Sequence, residues 1–296
     1  MSSTMQNTQV IHPSDYDANN IIFSDPIQGN IPDSKPAISF QRINITTKNA
    51  DGTIGELVIP TNRVFSFGVT ENTSQETGKV NGWTFPLCLW SRDGVTEEEK
   101  KWTDTFNNIV DKCIDHIIDN KEELDKFDLE RSDLKKFNPL YWRKEKKIVN
   151  GKTVMDVVDG VGPTLYSKLI YSKKSDKFLT KFFDINDNPI DPIDMQGKYC
   201  YTNSVVKIES IFIGNKISLQ VKLYESVVEP IQSGMKRLIP SRQVSNPTVN
   251  VGSSDSKPFT SDEQDDGSDS DDGSIQDSPP KPIGKKVVVK RRVLKK

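Results

Sequence analysis

Histidine and cysteine are scarce in this chain, with two of the first and three of the second in 296 residues. Cys88, Cys113 and Cys200 are odd in number and far apart, which excludes a disulfide framework. They fit small core residues in a reducing, intracellular setting. His12 and His116 make no metal cluster with them at any familiar ligand spacing. No apolar run is long enough to span a membrane, and the N-terminus lacks the charged-then-apolar pattern of a secretory signal. Motifs of catalysis are missing too. Gly160-Val161-Gly162-Pro163 has two glycines, but Pro163 removes an amide that a phosphate cradle would need, so it reads as a turn. Asp156 with Asp159, and Asp191 with Asp194, are short-range acid pairs of the solvated kind. The expectation is a non-enzymatic protein with no cofactor and no metal.

Charge is present in quantity but segregated. The net charge of −2 hides this. Residues 97–130 hold twelve acids against five bases, and residues 131–181 hold thirteen bases against five acids. Residues 253–278 hold nine acids and one lysine, and residues 281–296 hold eight bases and no acid. Segregation of this kind creates local fields that a total conceals.

Composition divides the chain into a polar, proline-broken arm (1–36), one domain (37–240) and a tail (241–296) that is acidic over 253–278 and basic over 281–296. Within the domain, alternation predicts strands over 37–47, 53–60, 63–69 and 83–90. Thr96 and Glu99 form a capping box, and Trp102, Phe106, Ile109, Val110, Cys113 and Ile117 follow at helical spacing to about Asn120. A second helical piece is expected over 122–137, stopped by Pro139. Strands resume at 147–149 and 153–158 around Asn150-Gly151, and again over 165–172, 177–184, 198–212 and 217–224. Many short strands with one helical insertion predict a mainly β, α+β fold built on an OB-like barrel, with a disordered arm and tail.

The segment Lys135 to Lys147 sets Phe137, Tyr141 and Trp142 among Lys135, Lys136, Arg143, Lys144, Lys146 and Lys147. Cations neutralise phosphates and flat rings stack on unpaired bases, which is what a single-stranded nucleic-acid site requires. Tyr166 with Lys168, and Tyr171 with Lys173 and Lys174, repeat the pairing, and Trp83, Trp90 and Arg92 join if the outer face of their strand does. Any one of these rings, taken alone, fits a core position better than a binding one. A core explains rings but not the local excess of positive charge. Of these seventeen residues, all but Phe137 form the candidate DNA-binding set of sixteen.

Order and local sequence then point further. The stretches Asn81-Gly-Trp-Thr-Phe-Pro-Leu, Asn138-Pro-Leu-Tyr-Trp-Arg, Gly162-Pro-Thr-Leu-Tyr-Ser-Lys-Leu and Gly197-Lys-Tyr-Cys-Tyr resemble the single-stranded DNA-binding proteins of nucleocytoplasmic large DNA viruses, of the poxvirus and asfarvirus type. The resemblance covers about residues 37–240, and the acidic-then-basic tail departs from it. It implies an OB-type barrel that coats single strands without sequence preference in viral replication, recombination and repair. It also implies a viral factory in the host cytoplasm, while the basic end leaves the nucleus open. Partners expected on this basis are single-stranded DNA, with RNA as the alternative, replication proteins recruited through the acidic tail, and further copies of the chain along DNA. The rival expectation is a structural or scaffold protein of a virus that uses its charged tail to recruit partners.

Overall fold

A computed structural model describes Pro13 and residues 16–30, 38–74, 78–149 and 152–231. Part of the expected arm is ordered. The apolar triplet Ile21–Phe23 forms strand β1 and Ile27–Asn30 forms β2, both antiparallel to β3 (Ser39–Lys48). Pro26 breaks the chain only between them. Ile21 is buried in the core, and the Phe23 ring stacks on His116 at 3.9 Å. Burial lowers the His116 pKa by desolvating the charged imidazolium.

The chain continues as β4 (Ile54–Pro60), β5 (Val64–Ser66), β6 (Thr70–Thr73) and β7 (Val80–Cys88), then helix α1 (Glu97–Asp119). The capping box is formed, with Glu99 N on Thr96 Oγ1 at 3.2 Å and Thr96 N on Glu99 Oε2 at 2.8 Å. The buried stripe of α1 packs on the barrel, and the Trp102 indole donates to the Pro60 carbonyl at 2.8 Å. The second helix expected over 122–137 is instead a string of turns with a 3-10 turn at Arg131–Lys136. Asp125 takes a positive φ of 55°. Leu124, Leu134 and Phe137 are buried and anchor the segment, while Arg131 binds both Asp111 and Asp115 of α1.

After it come β8 (Leu140–Tyr141), the pair β9 (Lys144–Val149) and β10 (Lys152–Val157), β11 (Thr164–Leu169), and the short β12 (Tyr171–Ser172), β13 (Lys177–Phe178), β14 (Lys181–Phe183) and β15 (Pro189–Ile190). Two fourteen-residue strands close the fold, β16 (Cys200–Ile213) and β17 (Ile217–Pro230). The Asn150-Gly151 turn lies outside the described residues, as does the tail.

Five strands close into a barrel in the cyclic order β5, β7, β11, β17, β16. Only the β11–β17 pairing in it is parallel. Numbered along the chain, the order is 1-2-3-5-4, that of an OB-like barrel, with α1 inserted between the second and third strands. Irregularities in β16–β17 at Val205/Val206 and Ile208/Ser210 bend the long strands so that the sheet can close. Phe85, Leu87, Leu165, Val206, Ile208 and Leu223 fill the interior. Beside them sits a buried knot of hydroxyls. Thr202 Oγ1 lies 3.0 Å from Ser204 Oγ and 2.5 Å from Ser226 Oγ, so small polar side chains face inward without being left unsatisfied.

Candidate nucleic-acid interface

Side chains at paired positions of neighbouring strands point to the same face. One row of paired positions crosses five strands: Tyr201 with Phe65, Phe65 with Cys88, Cys88 with Thr164, and Thr164 with Tyr141. Their chain neighbours Cys200, Val64, Ser66, Leu87 and Leu165 are buried, so the row faces outward. Tyr141 is 43% exposed and Tyr201 37%. Tyr166 stands on the next outward position of β11 and meets the Tyr141 ring edge-on at 6.2 Å. Partial burial raises the Tyr166 pKa, so its hydroxyl stays neutral.

At the other end of the row Phe65 is the hub of a ring cluster. Phe67 lies 5.1 Å away, Tyr199 5.8 Å and Tyr201 6.1 Å, each edge-on. Two guanidinium groups cover it. Arg63 sits 3.9 Å above the Tyr201 ring and donates to Glu229 at 2.6 Å. Arg92 sits 4.9 Å above Phe65. Arg92 also pulls against the burial that raises the Cys88 thiol pKa. Rings with cations over or beside them, at sheet spacing on an exposed face, can stack bases and hold phosphates.

The cations continue round the barrel. Lys168 is paired with Lys222 and Lys222 with Lys207, which places three lysines abreast on β11, β17 and β16. Lys168 Nζ donates to Gln220 Oε1 at 3.1 Å and Lys207 Nζ to Glu56 Oε1 at 2.5 Å. Lys207 also opens on a cavity of about 910 Å³ that holds Arg42, Lys181, Glu209, Tyr224 and Glu225.

The β9–β10 ribbon stands apart from the barrel sheet and separates the predicted lysines by face. Its register pairs Ile148 with Thr153, Lys146 with Met155 and Lys144 with Val157, so one face holds two lysines and no acid. The other face holds Lys147 with Glu145 and Asp156. Lys147 Nζ lies 3.1 Å from Asp156, 3.6 Å from Asp159 and 3.7 Å from Glu145. The Asp156 hydrogen bond is the main cause of a raised Lys147 pKa and a lowered Asp156 pKa. Lys147 is thus a cation already in use. Arg143 is exposed at the root of the ribbon, where its carbonyl accepts from Val158 N at 2.9 Å.

Other predicted residues fall elsewhere. Trp142 is half-buried and edge-on to Trp90 at 5.3 Å. Trp90 is a structural residue whose indole donates to Thr103 of α1 at 2.9 Å. Trp83 has the parity of Phe85, not of Cys88, and packs with Tyr171 at 4.6 Å and Phe178 at 4.9 Å. That second cluster borders a separate cavity of about 750 Å³. The Tyr171 hydroxyl is bound to Asp176, the main cause of its raised pKa. Lys173 and Lys174 occupy the turn beside it, and Lys135 and Lys136 the 3-10 turn that packs on α1. Phe137 is core, at 2% exposure. Sequence reasoning missed Arg63, Phe65, Phe67, Tyr199, Tyr201, Lys207 and Lys222. The available signal was the aromatic-x-aromatic spacing of Phe65/Phe67 beside Arg63 and of Tyr199/Tyr201 beside Lys198.

With this geometry in view, comparison with known proteins places the chain. A family model described as "Protein of unknown function (DUF2738)" matches residues 14–268. The chain belongs to the DUF2738 family. "Uncharacterized protein 007R" of Invertebrate iridescent virus 3 is 25% identical to this DUF2738 chain over 176 residues, 58% of the chain and 36% of that protein. The match therefore spans about a third of the length of this curated relative.

Proposed function

We propose that this DUF2738 barrel binds single-stranded DNA, without catalysis and without sequence preference. The observation that carries the proposal is the in-register outward row from Tyr201 through Phe65 to Tyr141, with Arg63 and Arg92 over its rings and cations continuing along β11 and the β9–β10 ribbon. Every base has a flat face, so stacking on such a row is tolerant of sequence, and the phosphates meet the cations. The outer face of the second and third strands is also where OB barrels take oligonucleotides. The likeness of the chain to viral single-stranded DNA-binding proteins, and a relative in an iridescent virus, fit a role in viral DNA replication, recombination and repair. The site would then be a viral factory in the host cytoplasm or the nucleus, with replication proteins as partners of the tail.

The test is a fluorescence titration of the full chain with a labelled oligo-dT and with a matched duplex, at several salt concentrations. Strong salt-dependent binding of the single strand and much weaker binding of the duplex is the expected result. No binding of either at low salt overturns the proposal. A second function, a viral scaffold, is favoured by Ile148 at 79% and Met155 at 53% exposure on the ribbon, since exposed apolar groups also mark protein contacts. Self-association of the chain without DNA, lost on replacing Ile148 by Ser, would support it.

A further inference from the structure

The last described residue, Ile231, donates its backbone N–H to the Tyr199 carbonyl at 2.8 Å. The chain thus leaves the barrel at the edge of the aromatic face. Two residues earlier, Glu229 is paired in register with Tyr201 and places its carboxylate on Arg63, the guanidinium that covers the Tyr201 ring. One acid from this end of the chain is therefore already seated on the face. Asp255 lies 24 residues beyond Ile231 and opens the tract of nine acids that ends at Asp277. Twenty-four residues reach at most about 80 Å, ample to bring the tract back over the row.

We infer that the acidic tract Asp255–Asp277 docks in cis on the face built by Arg63, Phe65, Arg92, Tyr199 and Tyr201, and that a single strand must displace it. This rests on the assignment of that face to nucleic acid. Carboxylates and phosphates compete for the same cations, and the tether supplies the tract at high local concentration. With an effective concentration of about 1 mM, tenfold competition corresponds to a tract affinity of about 0.1 mM. The ammonium and guanidinium groups of residues 281–296 are the rival partner for the acids, and the experiment separates the two.

In the full chain, a photo-crosslinking residue, p-benzoylphenylalanine, replaces Ser268, and its adducts are mapped by mass spectrometry with and without excess oligo-dT. Adducts on peptides containing Phe65–Phe67 or Tyr199–Tyr201 that disappear with oligo-dT are the expected result. Adducts confined to residues 281–296, none outside the tail, or face adducts that persist although oligo-dT binds, each overturn it. In parallel, D262N/E263Q/D265N/D266N/D269N/D271N/D272N in the full chain is expected to bind oligo-dT about tenfold more tightly at low salt, the gap closing as salt rises. Unchanged affinity overturns the inference while leaving nucleic-acid binding intact. Failure of both proteins to bind oligo-dT instead removes the function proposed for the face, and the cross-link map then still reports whether the tract docks there.

Discussion

Neutralising Lys144 and Lys146 together, as K144Q/K146Q, is expected to lower the slope of log affinity against log salt by about 1.4, at about 0.7 per phosphate contact on a single strand. Lys147→Gln is expected to leave that slope unchanged. The three lysines are neighbours in sequence, yet the ribbon sends them to opposite faces. Lys144 and Lys146 share theirs with Val157, Met155, Ile148 and Thr153, with no carboxylate among the six. Lys147 faces Asp156, Glu145 and Asp159 within 3.7 Å. A cation that releases no counterion when DNA arrives adds nothing to the salt slope, and Lys147 already has carboxylates as its counterions. Between 50 and 200 mM salt, a slope difference of 1.4 amounts to about a sevenfold difference in how much affinity the two proteins lose. The assay is fluorescence anisotropy of a labelled oligo-dT at five or six salt concentrations, with a urea melt of each variant to confirm folding. A slope reduced by Lys147→Gln as much as by the double variant would refute the division of the ribbon into a DNA face and a neutral face.

The remaining predictions test the row, the packing beneath it and the core. Tyr201→Ala and Tyr141→Ala should each weaken oligo-dT binding by about 1–3 kcal/mol, whereas Tyr171→Ala should not; equal losses in all three would move the site. Gly162→Ala should destabilise the fold by about 1–3 kcal/mol in a urea melt, because the added Cβ would lie 2.3 Å from Trp90; an unshifted midpoint would show that Trp90 can give way. Burial pushes Cys113 and Cys200 from 9.0 to about 12, and Tyr16 from 10.0 to about 12. These folded values exceed the unfolded ones, so the stability they contribute is whole below about pH 9 and is lost as pH rises towards 12. A urea midpoint unchanged between pH 8 and pH 11 would contradict this.

Local chemistry was legible in the chain wherever it acts locally. The capping box of Thr96 and Glu99 and the stripe of Trp102, Phe106, Ile109 and Val110 specify α1 to within a residue. Alternation specifies the outward Tyr166 and Lys168 against the inward Leu165 and Leu169. The failures began where partners are distant. Ile21–Phe23 is a strand only because β3 accepts it. Residues 122–137 lack the expected α-helix because Leu124, Leu134 and Phe137 are held by the core while Arg131 is held by Asp111 and Asp115 across the turn. Neither set of contacts has any trace in a local period.

The half of the row that sequence missed has a specific cause. In Val64-Phe65-Ser66-Phe67, hydrophobic patterning puts the rings inside and the serine outside. The barrel does the reverse. Ser66 is fully buried, and Phe65 and Phe67 face out, with Arg92 over Phe65. The same inversion occurs at Tyr199-Cys200-Tyr201-Thr202, where Cys200 and Thr202 are buried and both tyrosines are exposed. Space and hydrogen bonding inside the barrel explain it. The interior beneath these two segments is lined by small hydroxyls that satisfy one another, Thr202 with Ser204 and Ser226. An aromatic pair at i and i+2 bracketing a small residue, with an arginine brought over one ring by the fold, is therefore outward-facing here twice over. Outward rings lose hydrophobic stabilisation by their exposure, and a ligand with flat apolar faces and negative charge is the kind that restores it.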